Sequence, residues 1–158
     1  MLLKWLFKYK VTEGDTVDLM LESHHNPSVH NDYVPSDIYG IFLHDTSLRI
    51  GECDIRIGMN EELYYAGNIG YRIYEPYRGH GYAYEAAKML LKIAYEEHGL
   101  DEVILTCSPD NTASKKTLEK LGGELIETVD VPAWHWLYRR GEKVKHIYRY
   151  DLKKRNYI

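Results

Sequence analysis

The sequence predicts a mixed α/β fold: a mostly antiparallel central sheet of about six to seven strands, with helices on both faces. Two observations lead to this prediction. Short runs of alternating apolar residues occupy most of the first half of the chain and its C-terminal part, and a period of two is typical of strands. Two segments with helical spacing, residues 82–97 and 112–121, enclose a short β-branched run at residues 103–107. Strands before, between and after helices indicate a sheet covered by helices.

The length and composition of the chain predict one globular domain. The chain has 158 residues, of which 44% are apolar and 28% are charged. These values are typical of a globular protein that can bury a substantial core. We expect a single domain over residues 1–158, with a core at 38–125 and with C-terminal strands and a basic tail at 126–158.

The sequence carries no signal for a membrane span, for export or for a metal site. No apolar run is long enough to span a bilayer. Residues 1–10 contain Lys4 and Lys8 and lack a cleavage site of small residues, so no signal peptide is expected. Cys53 and Cys107 have no metal-like spacing, and we expect buried free thiols. These features favour a cytoplasmic protein with no membrane partner and no metal.

Charge is distributed unevenly along the chain. Residues 138–158 contain eight Lys or Arg against two acidic residues, a net charge of +6, so the remainder, with 12 basic against 22 acidic residues, carries −10. An acidic body favours a cationic small substrate and argues against a nucleic-acid partner. The basic tail lacks the stacking aromatic residues of nucleic-acid recognition, and such a tail is more often a solvated end.

The N-terminal part of the chain is expected to contain two strands and a loop. Alternation predicts strands at residues 2–11 and 16–21. Residues 23–37 are rich in Pro, Asn and His and are expected to form a loop. The three histidines in this loop match no zinc pattern, and a polar loop near a substrate mouth is the better interpretation. These histidines are His24, His25 and His30.

The central part begins with a predicted hairpin. Residues 38–44 and 48–57 alternate on either side of a polar turn. The second strand changes phase between Ile50 and Cys53, and a bulge near Gly51-Glu52 would reconcile its two halves.

A strand, a helix and a second strand follow the hairpin. Residues 60–68 are expected to connect to a strand at 69–74, which ends before Pro76 because proline has no N–H for a ladder. The helix at 82–97 leads to the strand at 103–107, and this connection is long enough for a right-handed parallel crossover. Beyond it we expect a helix at 112–121, capped by Asp110 or Asn111, and strands at 124–129, 134–138 and 144–151.

A glycine turn joins the strand at 69–74 to the helix. Arg78-Gly79-His80-Gly81 lies directly before the first helical residues, and a helix N-terminus favours an anion such as phosphate. A P-loop would need Gly-x4-Gly-Lys-Ser/Thr, and a dinucleotide fingerprint would need a third glycine where Tyr84 stands. Neither pattern is present.

A different phosphate-binding pattern matches this turn. The segment Arg78-Gly79-His80-Gly81-Tyr82-Ala83 fits Arg/Gln-x-x-Gly-x-Gly/Ala and resembles the acyl-CoA-binding motif of the GNAT superfamily of N-acetyltransferases. The strand at 103–107 follows at the expected distance. Asn111-Thr112-Ala113-Ser114 and Leu118-Glu119-Lys120-Leu121-Gly122-Gly123 then look like the second half of the family core. The resemblance is strong from about residue 38 to about residue 125.

The resemblance implies a site for acetyl-CoA. The glycine turn would hold the pyrophosphate, and the backbone of Ile73 and Tyr74 would pair with the pantetheine arm. In the family the parallel strands that correspond to 69–74 and 103–107 splay apart to admit that arm. Asn111, which also suits a helix cap, would bond the pantetheine. The cofactor-binding residues so implied are Ile73, Tyr74, Arg78, Gly79, His80, Gly81, Tyr82, Ala83, Asn111 and Ser114.

Acetyl transfer to an amine needs a general base and a donor for the oxyanion. Candidate bases are Glu52, Asp54 and Glu75. A solvated carboxylate is the commoner interpretation of each, and Glu52 stands out because it occupies the proposed bulge. By resemblance, the oxyanion donor is the backbone N–H near Tyr74. Tyr71 is interpreted as a core residue or as a wall of the acceptor pocket.

The leaving thiolate needs a proton or a stabilising hydrogen bond. Many relatives use a tyrosine of the second helix, at the position where this chain has Leu118. The proton would then come from Tyr84, from Ser108 or from water, or the step needs no acid. This departure leaves the catalytic set at Glu52, Tyr74 and Tyr84.

The acceptor side also departs from the family. The family places one or two helices between its first two strands, whereas residues 23–37 show no amphipathic helix. The pocket would be open or completed by a second subunit, and a homodimer is a reasonable expectation. Trp134-His135-Trp136 suits either a partner surface or a pocket wall.

Two functional hypotheses follow. The first is an N-acetyltransferase that transfers an acetyl group from acetyl-CoA to a primary amine of a small molecule or peptide by direct attack. The second is a non-catalytic CoA-binding sensor or assembly module, which Leu118 at the usual acid position keeps open.

Overall fold

The computed structural model of the protein describes residues 10–154. Within that range the chain forms eight strands and four helices. The strands are β1 (Val11–Glu13), β2 (Val17–His25), β3 (Ser36–Leu43), β4 (Arg49–Arg56), β5 (Ile69–Ile73), β6 (Glu102–Cys107), β7 (Glu124–Asp130) and β8 (Val144–Asp151). The helices are α1 (Glu61–Ala66), α2 (Tyr82–Glu96), α3 (Thr112–Lys120) and α4 (Trp136–Arg139). Most of the strand predicted at residues 2–11 lies outside the described residues.

The strands form two antiparallel sheets. One has the order β1-β2-β3-β4-β5, and the other has the order β6-β8-β7. The prediction of a mixed α/β fold with mostly antiparallel pairing is therefore confirmed. The strand count differs slightly, with eight strands in residues 10–154 where six to seven were expected.

The two sheets meet at β5 and β6, the pair predicted to splay apart. Among the described residues these two strands share no ladder. Asn68 joins them at one end: its backbone N–H donates to the C=O of Ile104 at 2.7 Å, and its Oδ1 accepts from the N–H of Ile104 at 2.8 Å. Its side-chain amide also donates to the C=O of Arg56 and of Gly58. Beyond this junction β5 and β6 are not paired with each other, so a gap opens between the sheets.

The core forms where α2 covers the five-stranded sheet. The apolar stripe that predicted the helix is its buried face, because residues three and four apart lie on one side of a helix. That face consists of Ala86, Ala87, Leu90, Leu91, Ile93 and Ala94. Val103 and Leu105 of β6 and Tyr148 of β8 belong to the same buried cluster. One core therefore holds both sheets and fixes the width of the gap.

The predicted bulge in the second hairpin strand exists, but one residue earlier than expected. The partner of β4 changes from Gly51 opposite Ile41 to Arg49 opposite Phe42, so Ile50 is the extra residue. Position 51 has no room for a side chain, since a Cβ there would lie 2.3 Å from the C=O of Arg72 in β5. Glu52 is therefore a regular ladder residue.

Two connections differ from the predictions. Residues 23–37 are not entirely a loop, because β2 continues to His25 and a 3₁₀ turn forms at Val29–Asn31. Residues 60–68 contain α1, whose first turn is capped by the Asn60 side chain accepting from the N–H of Leu63 at 2.8 Å.

The strand predicted at 134–138 is wrong, because the chain forms the short helix α4 there. The reason is local. The N–H of Leu137 donates to Nδ1 of His135 at 3.1 Å, so His135 acts as a cap that the alternation of apolar residues does not reveal.

None of the helices within residues 10–154 is both long enough and apolar enough to cross a lipid bilayer.

Candidate active site

A cleft of about 720 Å³ occupies the gap between the two sheets. Its walls come from β5 and the start of α2 on one side and from β6, α3, α4 and β8 on the other. Of the residues implied as cofactor-binding, eight line it: Ile73, Arg78, Gly79, Gly81, Tyr82, Ala83, Asn111 and Ser114. Tyr74 and His80 do not.

The edge of β5 beside the cleft offers unpaired backbone groups. In an antiparallel ladder alternate residues direct their N–H and C=O groups at the partner strand. The N–H of Tyr74 donates to the C=O of Ile50 at 2.9 Å, and the N–H of Arg56 donates to the C=O of Asn68 at 2.7 Å. The even-numbered residues of 68–74 therefore bond to β4, and the backbone groups of residues 69, 71 and 73 point towards the cleft.

This phase corrects the expectation for Tyr74. Its backbone N–H is engaged by β4, and its phenol oxygen accepts a hydrogen bond from Arg49. Ile73 has the orientation that was expected of Tyr74, because its N–H belongs to the cleft edge. The C=O of Ile73 accepts from Nε of Arg78 at 2.9 Å, which ties the glycine turn to the strand.

The glycine turn places the N-terminus of α2 at one end of the cleft. Gly79 and Gly81 have φ of +87° and +77°, the left-handed region that favours glycine. A Cβ at either position would meet no atom within 4 Å, so the space above the turn is open. The N–H of Glu85 bonds to the C=O of Gly81. The N–H groups of the residues before it have no acceptor within the helix. We call residues 78–83 the turn end of the cleft.

The first turn of α3 forms the wall opposite β5. Asn111 caps the helix, its Oδ1 accepting from the N–H of Ser114 at 3.1 Å, as predicted. Ser114 Oγ lies 3.1 Å from the phenol oxygen of Tyr71, so a hydrogen bond between two hydroxyls crosses the gap. Leu118, one turn further on, is 1% exposed and contributes to the core. The position that usually holds the acid therefore offers no polar group to the cleft.

Tyr71 has a polar contact across the cleft that the sequence did not predict. Its position as an apolar residue of an alternating strand suggested core or pocket wall, and its side chain does line the cleft. Burial raises the pKa of the Tyr71 hydroxyl, and hydrogen bonds to Ser114 and Thr117 oppose that rise only in part. The hydroxyl therefore stays protonated through the neutral range.

The three candidate bases lie in different surroundings. Glu52 is 41% exposed in its side chain and does not line the cleft; it faces Arg72, a lining residue, at 3.5 Å and Arg49 at 3.8 Å. Glu75 is exposed in the 3₁₀ turn after β5. Asp54 pairs across the ladder with Gly70, a lining residue, and its carboxylate fills the space that a side chain at Gly70 would need.

Asp54 is the carboxylate whose protonation is perturbed. Burial raises its pKa, and Arg56, whose Nε lies 2.9 Å from Oδ2, only partly offsets that rise. A carboxylate with a raised pKa is a stronger base than an exposed one. It lies beside two lining residues, Gly70 and Arg56.

Tyr84 lines the cleft from the first turn of α2, as one of the three catalytic candidates. The ammonium of Lys120 lies 4.2 Å from the centre of its ring. This contact holds the ring against α3.

The far end of the cleft is built from charged side chains that sequence reasoning missed. Lys145 has only 8% of its side chain exposed, and its Nζ lies 2.6 Å from Glu142, which also pairs with Arg140 at 2.7 Å. Trp136 joins this wall, so the pocket-wall interpretation of the Trp134-His135-Trp136 segment holds for its last residue. We call Arg56, Trp136, Arg140, Glu142 and Lys145 the charged end. The available signal was the inward parity of Lys145 in β8.

One cluster of possible metal ligands lies outside the cleft. Glu13, Asp18 and His44 bring ligand atoms within 4.8 Å of one another. The carboxylate of Asp18 is buried and accepts from the N–H of Gly14, from the N–H of Asp45 and from the ring of His44. These hydrogen bonds give the cluster a structural role, because they hold the β3–β4 turn against β2.

Comparisons with known proteins agree with this geometry. An N-acetyltransferase of Bacillus subtilis described as uncharacterised, YnaD, is 31% identical over 84 residues, which is 53% of this chain and 48% of that protein. The chain spans about half the length, 48% and 41%, of the curated relatives it matches.

Two solved structures share the fold. The ribosomal-protein-S5-alanine acetyltransferase of Vibrio fischeri has a TM-score of 0.68 at 13% identity, covering 92% of this chain and 98% of that one. The ribosomal L7/L12 acetyltransferase RimL, solved with coenzyme A, has a TM-score of 0.64 at 14% identity, covering 90% and 98%. At these identities the likeness concerns the fold alone.

The family model of the acetyltransferase (GNAT) domain matches residues 3–124, more than half of the chain. The glycine turn, the splayed strands β5 and β6 and the capped helix α3 agree with this match. The chain belongs to the GNAT acetyltransferase family.

Proposed function

We propose that the protein is an acetyl-CoA-dependent N-acetyltransferase that acts on a primary amine of a small molecule or peptide. One observation carries the proposal: a single cleft is lined by the open glycine turn, by the edge of β5 that is not paired with β6, and by Gly70 and Arg56, the two residues beside Asp54. The family provides the reaction class, and RimL supports the cofactor, since it was solved with coenzyme A.

The residues of the cleft fit acetyl-CoA. The turn end offers open space above Gly79 and Gly81 and the N–H groups of a helix N-terminus, which suit a pyrophosphate. The free edge of β5 would take the pantetheine amides as an added strand does. Asn111 and Ser114 would contact that arm from the other wall. Acetyl-CoA supplies the activated acetyl group as a thioester.

The amine would lose its proton to Asp54, directly or through a water molecule. Glu52 and Glu75 suit this role less well, because Glu75 is exposed and Glu52 is 41% exposed and paired with two arginines, whereas Asp54 is 24% exposed. General-base catalysis of this kind contributes on the order of 10²–10⁴ in rate. The N–H of Ile73, on the open edge, would donate to the oxyanion in place of Tyr74.

The charged end would receive the acceptor. It carries three cations, Arg56, Arg140 and Lys145, against Glu142, with Asp54 beside Arg56. The indole of Trp136 adds an apolar wall and donates through Nε1 to Asp32 at 2.9 Å. Because the cations outnumber the carboxylates here, a polar part of the acceptor other than its amine would face this end, and an apolar part would lie against Trp136.

Two measurements test the proposal in sequence. Acetyl-CoA should raise the thermal unfolding temperature of the protein in a saturable manner, because it binds the folded state only. Free thiol should then appear when acetyl-CoA is mixed with at least one member of a panel of polyamines, amino acids and peptides.

The outcomes separate the two hypotheses. Absence of stabilisation at saturating acetyl-CoA would overturn the cofactor assignment. Stabilisation without thiol release for every amine would favour the alternative, a CoA-binding sensor or assembly module, which the apolar Leu118 keeps open.

A further inference from the structure

The leaving group of the proposed reaction lacks its usual partner in this chain. When the C–N bond forms at the acetyl carbon, the C–S bond breaks and the electron pair remains on sulfur. A thiolate released into a partly closed cleft needs a hydrogen-bond donor or a proton. Leu118 supplies neither, since it is apolar and buried.

Tyr71 and Ser114 are the hydroxyl pair that spans the cleft near that position. Ser114 lies one helical turn before Leu118, and its Oγ is 3.1 Å from the phenol oxygen of Tyr71. Both residues line the cleft, between the turn end and the charged end. The pair therefore joins the two walls on which the pantetheine arm would lie.

The pair has two hydroxyl hydrogens, and the hydrogen bond between Tyr71 and Ser114 uses one of them. A hydroxyl donates one hydrogen and accepts through its lone pairs. If Ser114 donates to the phenol oxygen, the proton of Tyr71 is left for the hydroxyl of Thr117 or for an atom of a ligand in the cleft. A thiolate is a charged acceptor and forms a stronger hydrogen bond than the neutral hydroxyl of Thr117. The raised pKa of Tyr71 means that this proton is present throughout the neutral range.

Resting on the proposed function, we propose that the Tyr71 hydroxyl, oriented by Ser114, donates the hydrogen bond that stabilises the departing thiolate. Tyr71, on β5, would thus supply the hydrogen bond that Leu118 of α3 does not offer. The sulfur finally gains the proton that the amine nitrogen gives up, relayed through solvent, so thiol and amide are the products and the tyrosine is unchanged.

The test compares Tyr71→Phe with Tyr95→Phe. The first removes one hydroxyl and keeps the ring that packs in the cleft. The second removes a hydroxyl from an exposed residue near the far end of α2, as a matched control. A charge-assisted hydrogen bond suggests that Tyr71→Phe lowers kcat about ten- to a hundredfold. The Kd for acetyl-CoA should change by no more than about twofold, and Tyr95→Phe should change neither quantity.

A binding measurement tests the role without turnover. A thiol of pKa about 8.5 ionises between about pH 7 and about pH 9, whereas acetyl-CoA has no thiol to ionise. If Tyr71 donates to the thiolate, the affinity for CoA relative to acetyl-CoA rises over this range in the wild type and in Tyr95→Phe. The rise should be lost in Tyr71→Phe.

The results distinguish this inference from the proposed function. A wild-type protein that binds CoA with the pH-dependent rise but acetylates no amine would retain the Tyr71 assignment and lose the transferase assignment. A Tyr71→Phe protein with wild-type kcat and an unchanged rise would overturn the Tyr71 assignment alone. Failure of the wild type to bind CoA would overturn both.

Discussion

The two ends of the cleft are formed by different kinds of chemical group. The turn end consists of consecutive residues, 78–83, and presents mainly backbone groups that have no acceptor within α2. The charged end brings together Arg56, Trp136, Arg140, Glu142 and Lys145, which come from three separate segments and whose charges are paired in the folded protein. A ligand therefore finds open donors at the turn end, whereas at the charged end it must complement existing ion pairs. We infer that the first end sets cofactor binding and the second sets acceptor choice.

The largest expected effect comes from adding a side chain to the turn end. Gly81→Val should weaken acetyl-CoA binding at least about a hundredfold, because the new side chain would fill the open space through which a phosphate reaches the backbone. The protein should remain folded, since no atom lies within 4 Å of the new Cβ. Isothermal titration with acetyl-CoA measures the affinity, and circular dichroism checks the fold.

The chain offers a matched control for this variant. Gly99 flanks the other end of α2 with φ of +65° and equally open space. Gly99→Val should cost the same conformational energy, about 1–2 kcal/mol, and leave binding intact. Equal loss of affinity in both variants would show that backbone strain, not occupation of the phosphate space, explains the result.

The next largest effect concerns Asp54, the carboxylate that pairs with Arg56 of the charged end. Asp54→Asn should lower kcat about a hundredfold with little change in the Kd for acetyl-CoA. A base works only when deprotonated, so wild-type kcat/KM should fall as pH drops through the pKa of Asp54. Burial raises that pKa above its usual value. The acidic limb should disappear in Asp54→Asn, as measured by thiol release across the pH range.

Glu52→Gln is the companion variant on the same strand. Glu52 is 41% exposed and paired with Arg49 and Arg72, so its loss should change kcat by no more than about threefold, consistent with the small energy of exposed ion pairs. The opposite ranking of the two variants would return the base to Glu52, where the sequence suggested it.

The difference between the turn end and the charged end also explains which parts of the site could be predicted from the sequence. The turn end is contiguous, so Arg78-Gly79-His80-Gly81 and the strand and helix around it could be read from spacing alone. The cap of α3 was predicted as Asp110 or Asn111, because a cap depends on residues three positions away, and the structure shows Asn111 in this role. The antiparallel pairing followed from alternation, which is also a local property.

The charged end and the ladder phase could not be predicted in this way. Arg56 and Lys145 line the same cleft only because β4 and β8 belong to the two sheets on either side of the gap, which is a tertiary fact. The N–H of Tyr74 bonds to β4 while that of Ile73 faces the cleft, and this phase depends on how β5 pairs with β4. Side-chain alternation gives the faces of a strand but not which edge a given N–H serves.

The charged end itself is tested by Glu142→Gln. Lys145 would lose the charge of its close partner in a nearly buried position, and we expect a loss of about 1–2 kcal/mol in the free energy of unfolding at neutral pH. The KM for the acceptor amine should rise several-fold, while the Kd for acetyl-CoA stays the same. A change in acetyl-CoA affinity would contradict the division of roles between the two ends.

The pH dependence of that stability has a definite sign. Burial alone would raise the pKa of Glu142, but the hydrogen bond and charge of Lys145, with Arg140, lower it overall. A carboxyl group whose pKa is lowered in the folded state stabilises the protein at pH values above its unfolded pKa. This stabilisation is lost as the pH falls through its folded pKa. Chemical denaturation should thus show the wild type and Glu142→Gln converging in acid. Glu124→Gln, at a pair whose acid is 68% exposed, should cost less than about 0.5 kcal/mol throughout.

The smallest expected effect separates two asparagine caps. Asn111 and Asn60 each accept a helix N–H, from Ser114 and Leu63 respectively, so replacing either with Ala should cost about 1 kcal/mol of stability. Only Asn111 lines the cleft. Asn111→Ala should therefore also weaken acetyl-CoA binding about three- to tenfold, because the pantetheine arm loses a partner and the start of α3, with Ser114, loosens. Asn60→Ala should leave that affinity unchanged in the same titration. If both variants bound acetyl-CoA equally well, Asn111 would be a cap alone, and the cofactor would depend on the backbone of the β5 wall.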